Sequence, residues 1–179
     1  MNIHNHTVSI RKVDNSDLNA LQKISRRTFY ETFAAVNTEA NMTKYLEEQL
    51  SEQQLRSEVN NPESVFYLAL LNDEVVGYLK LNFGQAQTVA GHDHAIEIER
   101  IYVAQRFWGK DLGKQLFQKA LDVAHEKNAD YIWLGVWQEN PRAIRFYQKN
   151  GFEIFDTHLF MLGDDPQKDY LMKLVLKES

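Results

Sequence analysis

WLGVWQENPRAIRFYQKNGFE, residues Trp133 to Glu153, changes its structural pattern twice within one short stretch. Tyr131 to Trp137 is an apolar run of strand length, rich in aromatic and branched side chains, and reads as a buried strand. Asn140 then stands directly before Pro141. An asparagine side chain can accept from the free N–H groups of a first helical turn, and a proline at the first helical position gives up no hydrogen bond. A short helix is therefore expected over Pro141 to Asn150, carrying Ala143, Tyr147 and Lys149. Gly151 ends it as a C′ glycine, and Phe152 opens the next strand, which runs to Leu162.

Upstream, Ala95 to Val103 alternates. Strict alternation puts Ile96, Ile98 and the ring of Tyr102 on one face, with Glu97, Glu99, Ile101 and Val103 on the other. IYVAQRFWGKDLGKQLF, Ile101 to Phe117, leads from that strand through Trp108, Gly109, Lys110, Asp111 and Gly113 into an amphipathic helix expected over Leu112 to Lys127. The first turn of a helix offers unpaired N–H groups and the positive end of a dipole, and glycines let an anion approach the backbone closely. Gly109 and Gly113, with Lys110 and Lys114 adding charge, form a candidate pyrophosphate cradle. The same residues also read as a plain strand-to-helix turn. The spacing excludes both G-x-x-x-x-G-K-[ST] and G-x-G-x-x-G.

Around this pair of segments, Val8 to Val13 reads as a strand. A helix capped by Asn15 or Ser16 follows, with Leu18, Leu21, Ile24, Thr28, Phe29 and Phe33 at helical spacing. Helices are expected over Thr38 to Leu50 and Ser51 to Asn60. Ser64 to Leu71 and Glu74 to Phe83 are strands joined at Asn72-Asp73, Gln85 to Asp93 is a loop, and Tyr170 to Leu176 is the last strand. Pro62, Pro141 and Pro166 are each expected at an element boundary. The order β-α-α-α-β-β-β-α-β-α-β-β makes an α/β protein, with helices on the faces of a mixed sheet. With 179 residues and no linker or repeat, one domain over 1–179 is expected.

The net charge of −5 argues against nucleic acid as a partner, because phosphate binding needs a concentrated basic face. There is no cysteine, which excludes disulfides, a thiol nucleophile and thiolate metal sites. MNIHNHTVSIRKV lacks the apolar run and cleavage site of a signal peptide, and no stretch approaches a membrane span. A cytoplasmic protein with no membrane partner is expected. His92 and His94 form an H-x-H in the loop, too few ligands for a metal, and read as surface residues.

The two segments in this order resemble the GNAT N-acetyltransferase superfamily. Its later motif, N-x-x-A-x-x-x-Y-x-K-x-G-F, matches at Asn140, Ala143, Tyr147, Lys149, Gly151 and Phe152. Its loop motif, Q/R-x-x-G-x-G/A, is kept at Gly113, with Gly109 fitting a common variant. Trp108 replaces the usual Gln or Arg, and Asp111 replaces the first glycine. Asp111 puts a negative charge where phosphates would sit, unless it points to solvent or pairs with Lys110 or Lys114. ETF at Glu31, NMTKYLEEQL, EIERIYV, YIWLGVW and FMLGDDPQKDYLM look like the PaiA-type bacterial polyamine N-acetyltransferases.

The resemblance implies a mostly antiparallel sheet of about seven strands with helices on both faces. It implies acetyl-CoA as cofactor, with CoA as product, held by Ile101, Tyr102, Val103, Gly109 to Lys114, Asn140, Ala143, Tyr147 and Lys149. The strand at Glu97 to Val103 would splay from that at Trp133 to Trp137, and the N–H of Ile101 or a neighbour would polarise the thioester oxygen. Tyr147 is the candidate general acid for the leaving thiolate, or else a packing tyrosine. Asn140 would bond the pantetheine arm, cap the helix, or both. Glu97 is the candidate base, since a primary amine with a pKa of about 10 is neutral in roughly one molecule per thousand at pH 7. Glu97 and Glu99 could instead anchor a cation, or stand solvated or paired with Arg100 or Arg106. Tyr30 and Glu31 would bind an alkyl-ammonium chain, while Phe29 and Phe33 read as core. The acceptor is then a small-molecule amine, spermidine or spermine by the narrower resemblance. A protein or peptide amine, or a non-catalytic CoA-binding module, are the alternatives, and a homodimer is allowed.

Overall fold

The computed structural model describes residues 8–177. The expectation about a leader rests partly on residues 1–7, which lie outside the described residues. The strands are β1 (Val8–Lys12), β2 (Ser64–Leu71), β3 (Glu74–Asn82), β4 (Ala95–Val103), β5 (Tyr131–Trp137), β6 (Glu153–Leu162) and β7 (Asp165–Val175). The helices are α1 (Leu18–Phe33), α2 (Glu39–Gln49), α3 (Glu52–Val59), α4 (Leu112–Glu126) and α5 (Pro141–Lys149). The strands form one sheet in the order β1-β2-β3-β4-β5-β7-β6. Only β4 and β5 run parallel, because α4 carries the chain back across the sheet between them.

Local chemistry sets the element ends. Thr38, Ser51 and Asn140 each accept a backbone N–H of the following first turn. Asp14, rather than Asn15 or Ser16, caps the short turn that precedes α1, through a bond from Ser16 N–H at 2.8 Å. Asn72 and Asp73 both adopt positive φ, which fits the tight β2–β3 hairpin. The final strand begins at Asp165, earlier than its apolar pattern suggests. Gly163, at φ 63°, turns β6 directly into β7, with Leu162 opposite Asp165. Pro166 therefore lies inside a strand, in a stretch whose only neighbour is β6, since β5 joins β7 from Asp169 onward.

The helices cover both faces. A β-carbon on Gly77 would lie 3.4 Å from Leu116 of α4, whereas the neighbouring Tyr78 points to the opposite face. There α1, α2 and α3 pack, with Leu21 and Leu55 fully buried and Phe29 stacked on Tyr45 at 4.0 Å. One irregularity changes the reading of β4. Lys80 pairs with Arg100 and Leu81 with Ile98, so Glu99 is an extra residue in the ladder. This bulge shifts the phase by one. Tyr102 consequently shares a face with Glu97, Glu99 and Arg100, while Ile101 and Val103 turn to the α4 side with Ile96 and Ile98.

Candidate active site

β4 and β5 pair only from Ala95–Tyr131 to Ile98–Leu134. Beyond that point β4 stays with β3 and β5 stays with β7, so a gap opens in the middle of the sheet. The N–H of Ala104 bonds Val76 O at 2.8 Å, towards β3. A strand residue points its N–H and C=O to the same side, and successive residues alternate. Tyr102 faces β3 as well, since a β-carbon on Gly77 would stand 2.6 Å from its carbonyl oxygen. By alternation, the N–H groups of Ile101 and Val103 face the gap. The Val103 carbonyl is taken by the indole N–H of Trp108 at 2.8 Å. Tyr102 thus has no backbone group to offer there; its ring lines a cavity, 6.0 Å from the ring of Tyr78.

Next to the gap, α4 presents its N-terminus. Its first turn leaves the N–H groups of Leu112, Gly113 and Lys114 ahead of the Gln115 N–H to Asp111 O bond, at 3.1 Å. A β-carbon on Gly109 or Gly113 would meet nothing within 4 Å, so an anion can reach this backbone. Lys110 and Lys114 are exposed beside it. Asp111 is exposed too, in a left-handed conformation (φ 60°), and pairs with neither lysine. Trp108 does more than replace a motif residue: its ring also carries the Arg142 guanidinium at 3.9 Å, tying the loop to the start of α5. The residues present fit a pyrophosphate group.

In α5, Asn140 Oδ1 accepts the N–H of Ala143 at 3.2 Å, so its cap role is occupied and its amide donors are left over. Tyr147 is buried against Phe146 and Phe152, with ring centroids at 5.4 and 5.6 Å. Burial pushes its phenol above the usual range, which keeps it protonated. Lys149 is exposed in the last turn.

On the other side of the sheet lies a cavity of about 540 Å³, walled by α1, α2, the β4 and β5 faces and the β6–β7 hairpin. Glu97 lines it, with a carboxylate that accepts from Asn82 Nδ2 (3.0 Å), Thr88 N–H (2.8 Å) and the Thr88 hydroxyl (2.5 Å). Burial raises its carboxyl, against the lowering effect of those bonds. Glu99 pairs with Lys80, which also pairs with Glu58. Burial pushes Glu99 up as well, but Arg100 and Lys80 bring it on balance below the usual range. Arg106 pairs with Glu74 instead. His92 is no plain surface residue: it shares a 2.6 Å bond with the Tyr131 hydroxyl and stacks 4.5 Å from Trp133. Among the described residues no group of His, Asp and Glu forms a metal site.

Tyr30 and Glu31 are not brought to this cavity. Tyr30 is exposed, and Glu31 Oε1 accepts the N–H of Gln105 at 3.2 Å on the opposite flank of α1. Phe29 and Phe33 are buried in the core, as read, and also line the cavity. Tyr45, Tyr78, Arg100, His158 and Asp169 also line it and were missed. The stretch FMLGDDPQKDYLM spans the β6–β7 hairpin that walls this cavity.

A sheet opened beside a helix N-terminus, with a buried phenol on one side and a lined cavity on the other, is the architecture of an acyl-CoA-dependent transferase. Residues 19–152 match the acetyltransferase (GNAT) family. The chain belongs to that family. It is similar to an uncharacterized N-acetyltransferase from the pepI 3′ region of Lactobacillus delbrueckii subsp. lactis, at 41% identity over 94% of this chain and 98% of that one. It is also similar to the spermidine N(1)-acetyltransferase of Thermoplasma acidophilum, at 26% identity over 84% and 91%. Among solved structures it resembles the PaiA N-acetyltransferase of Thermoplasma acidophilum in complex with coenzyme A. The TM-score is 0.77 at 24% identity, over 94% and 99% of the two chains. The protein is an acyltransferase, an acetyl-CoA-dependent N-acetyltransferase of the GNAT type. Among the described residues, no helix is long and apolar enough to cross a membrane.

Proposed function

We propose that the protein acetylates a primary amine of a small polyamine, such as spermidine or spermine, by direct attack within a ternary complex. The observation that carries this reading is the opened sheet: the gap-facing N–H groups of Ile101 and Val103 adjoin a cavity with aromatic and acidic walls. Acetyl-CoA, when bound, supplies the activated acetyl group as a thioester.

The N–H groups of Leu112, Gly113 and Lys114 hold the pyrophosphate, helped by the open space at Gly109 and by the Lys110 charge. The N–H of Ile101 polarises the acyl carbonyl, a role worth several kcal/mol only where the donor is fixed in advance, as it is in a strand. Tyr147 holds a proton for the departing sulfur, and the burial that raises its phenol ensures the proton is there. Glu97 draws the surplus proton from the amine through the Thr88 hydroxyl it binds. Phe29, Phe33 and Tyr45 give an alkyl chain an apolar lining. The similarity to a spermidine N(1)-acetyltransferase supports the choice of polyamine.

The test is purified protein with acetyl-CoA and a panel of spermidine, spermine, simple diamines and N-terminal peptides, read by the free thiol of CoA. Thiol release with polyamines is expected. Release with peptides alone replaces the substrate class, and no release with any amine overturns the reading. Tyr147→Phe should lower kcat by roughly a hundredfold with CoA affinity unchanged by calorimetry. An equal loss of both makes Tyr147 a packing residue.

A further inference from the structure

Four carboxylates border the cavity, and two of them are already engaged by the fold. Glu97 already accepts from Asn82 and Thr88. Glu99 is neutralised by Lys80 and also accepts from Asn82 Nδ2 at 3.2 Å. Glu48 stands exposed on α2 at the rim. Asp169 is different. It lies half-buried on β7, and among the described residues no hydrogen bond or ion pair of its carboxylate is found. Its cross-strand partners are Trp137 on β5 and His158 on β6.

What lies under Asp169 is as telling. β5 presents Trp133, Gly135 and Trp137 to the cavity in sequence. The glycine between two tryptophans leaves a window in this wall, and the Asp169 carboxylate lies over it on the cavity face. A β-carbon on Gly135 would come within 3.2 Å of Asp169 Oδ2 and 3.6 Å of Leu171 Cδ2. The window frame is held in place. Trp133 donates its indole N–H to Gln87 Oε1 at 2.8 Å, and Trp137 rests against Phe33 at 5.5 Å between centroids. A carboxylate with open lone pairs, lying over a glycine on a strand that carries a tryptophan to either side of it, suits a primary alkyl-ammonium group. The charge is met by the carboxylate and the N–CH₂ flanks by the rings.

We propose that the Gly135 window is a binding site for an ammonium group of the acceptor, with Asp169 as its counter-ion and Trp133 and Trp137 as its sides. The proposal rests on the reading of the protein as an amine acetyltransferase and adds a specificity-determining residue to it. Burial raises the Asp169 carboxyl to about 6, against a smaller downward pull from His158, so the group is ionised at neutral pH. An ammonium bound there displaces little water from a carboxylate that is already partly desolvated, which favours binding at this carboxylate over exposed Glu48.

The experiment is steady-state kinetics with spermidine and acetyl-CoA on the full chain. Asp169→Asn, nearly isosteric, should raise the KM for spermidine by roughly ten- to a hundredfold. The KM for acetyl-CoA, and kcat at saturating amine, should stay near the wild-type values. Gly135→Ala keeps the charge but sets a methyl against Asp169 Oδ2, and should raise the same KM. Calorimetry of spermidine with the CoA-bound protein should give matching losses for both variants. An unchanged KM for spermidine in both variants overturns the window while leaving the amine acetyltransferase reading in place. A wild-type protein that acetylates no amine takes both down together.

Discussion

The two walls of the acceptor cavity carry the same residue types and treat them in opposite ways. On the β3–β4 wall, Glu97 and Glu99 are met by Asn82, Thr88 and Lys80, and Glu58 of α3 behind them shares Lys80 and Arg100, leaving, of these groups, only Glu58 Oε2 and Arg100 Nη1 buried without a hydrogen bond among the described residues. On the β5–β7 wall, Asp169 faces the cavity over the Gly135 window, and the nearby His158 is the one group that offsets its burial. The first wall is an engaged network, in which Glu97 reaches the cavity only through the Thr88 hydroxyl it binds. The second keeps an unspent acceptor. Counting carboxylates along a cavity therefore misjudges where a cation binds; what counts is the lone pairs left over once the fold has used its share.

The contrast breaks most visibly at Lys80. Lys80→Met should leave Glu58 and Glu99 buried beside one another with only Arg100 to balance them. About 3–5 kcal/mol of stability should be lost, measured by urea unfolding at pH 7. A loss below about 1 kcal/mol would mean that this wall is solvated rather than internally satisfied.

A smaller effect, of opposite sign, is expected at Asp169. Its folded carboxyl titrates at about 6 instead of 3.8, so the native state holds that proton more tightly than the unfolded chain does. Ionisation then works against the fold. The penalty is absent below about pH 4, grows between pH 4 and 6, and is complete above. Asp169→Asn should therefore raise the melting temperature at pH 7.5, by on the order of 1 kcal/mol of stability for a partly solvated group, and leave it unaltered at pH 4. Destabilisation at pH 7.5 would mean that the carboxylate has a partner after all.

The smallest effect concerns the cofactor loop. Asp111→Gly removes a negative charge beside the α4 N-terminus and places glycine in a left-handed conformation that costs it nothing. CoA binding should tighten by about threefold, a shift of well under 1 kcal/mol. Equal or weaker binding would show that Asp111 lies outside the field of the phosphates.

Much of this was legible beforehand because period and punctuation agreed. Ser64–Leu71, Ala95–Val103 and Tyr131–Trp137 were readable to the residue, and Asn140 to Phe152 carried both the cap and the motif. The bulge at Glu99 was not, since an extra residue leaves no mark in an alternating sequence until the partner strand is known; its cost was the facing of Tyr102. Tyr30 and Glu31 have the chemistry for an alkyl-ammonium chain, but Phe29 and Phe33, a helical turn apart, share the face that lines the cavity. Asp169 falls outside the last strand as its apolar pattern reads it, since that pattern begins at Tyr170 while the strand begins at Asp165.

The gap between β4 and β5 also has a mechanical meaning. The strands β1 to β4 and the strands β5 to β7 are joined, as a sheet, through four paired positions at one end of the seam. Load passing through the sheet from one half to the other narrows to that short spine. A pantetheine arm laid along Ile101 and Val103 would act as a splint across a hinge, so the strength of its grip and the stiffness of the sheet would rise together.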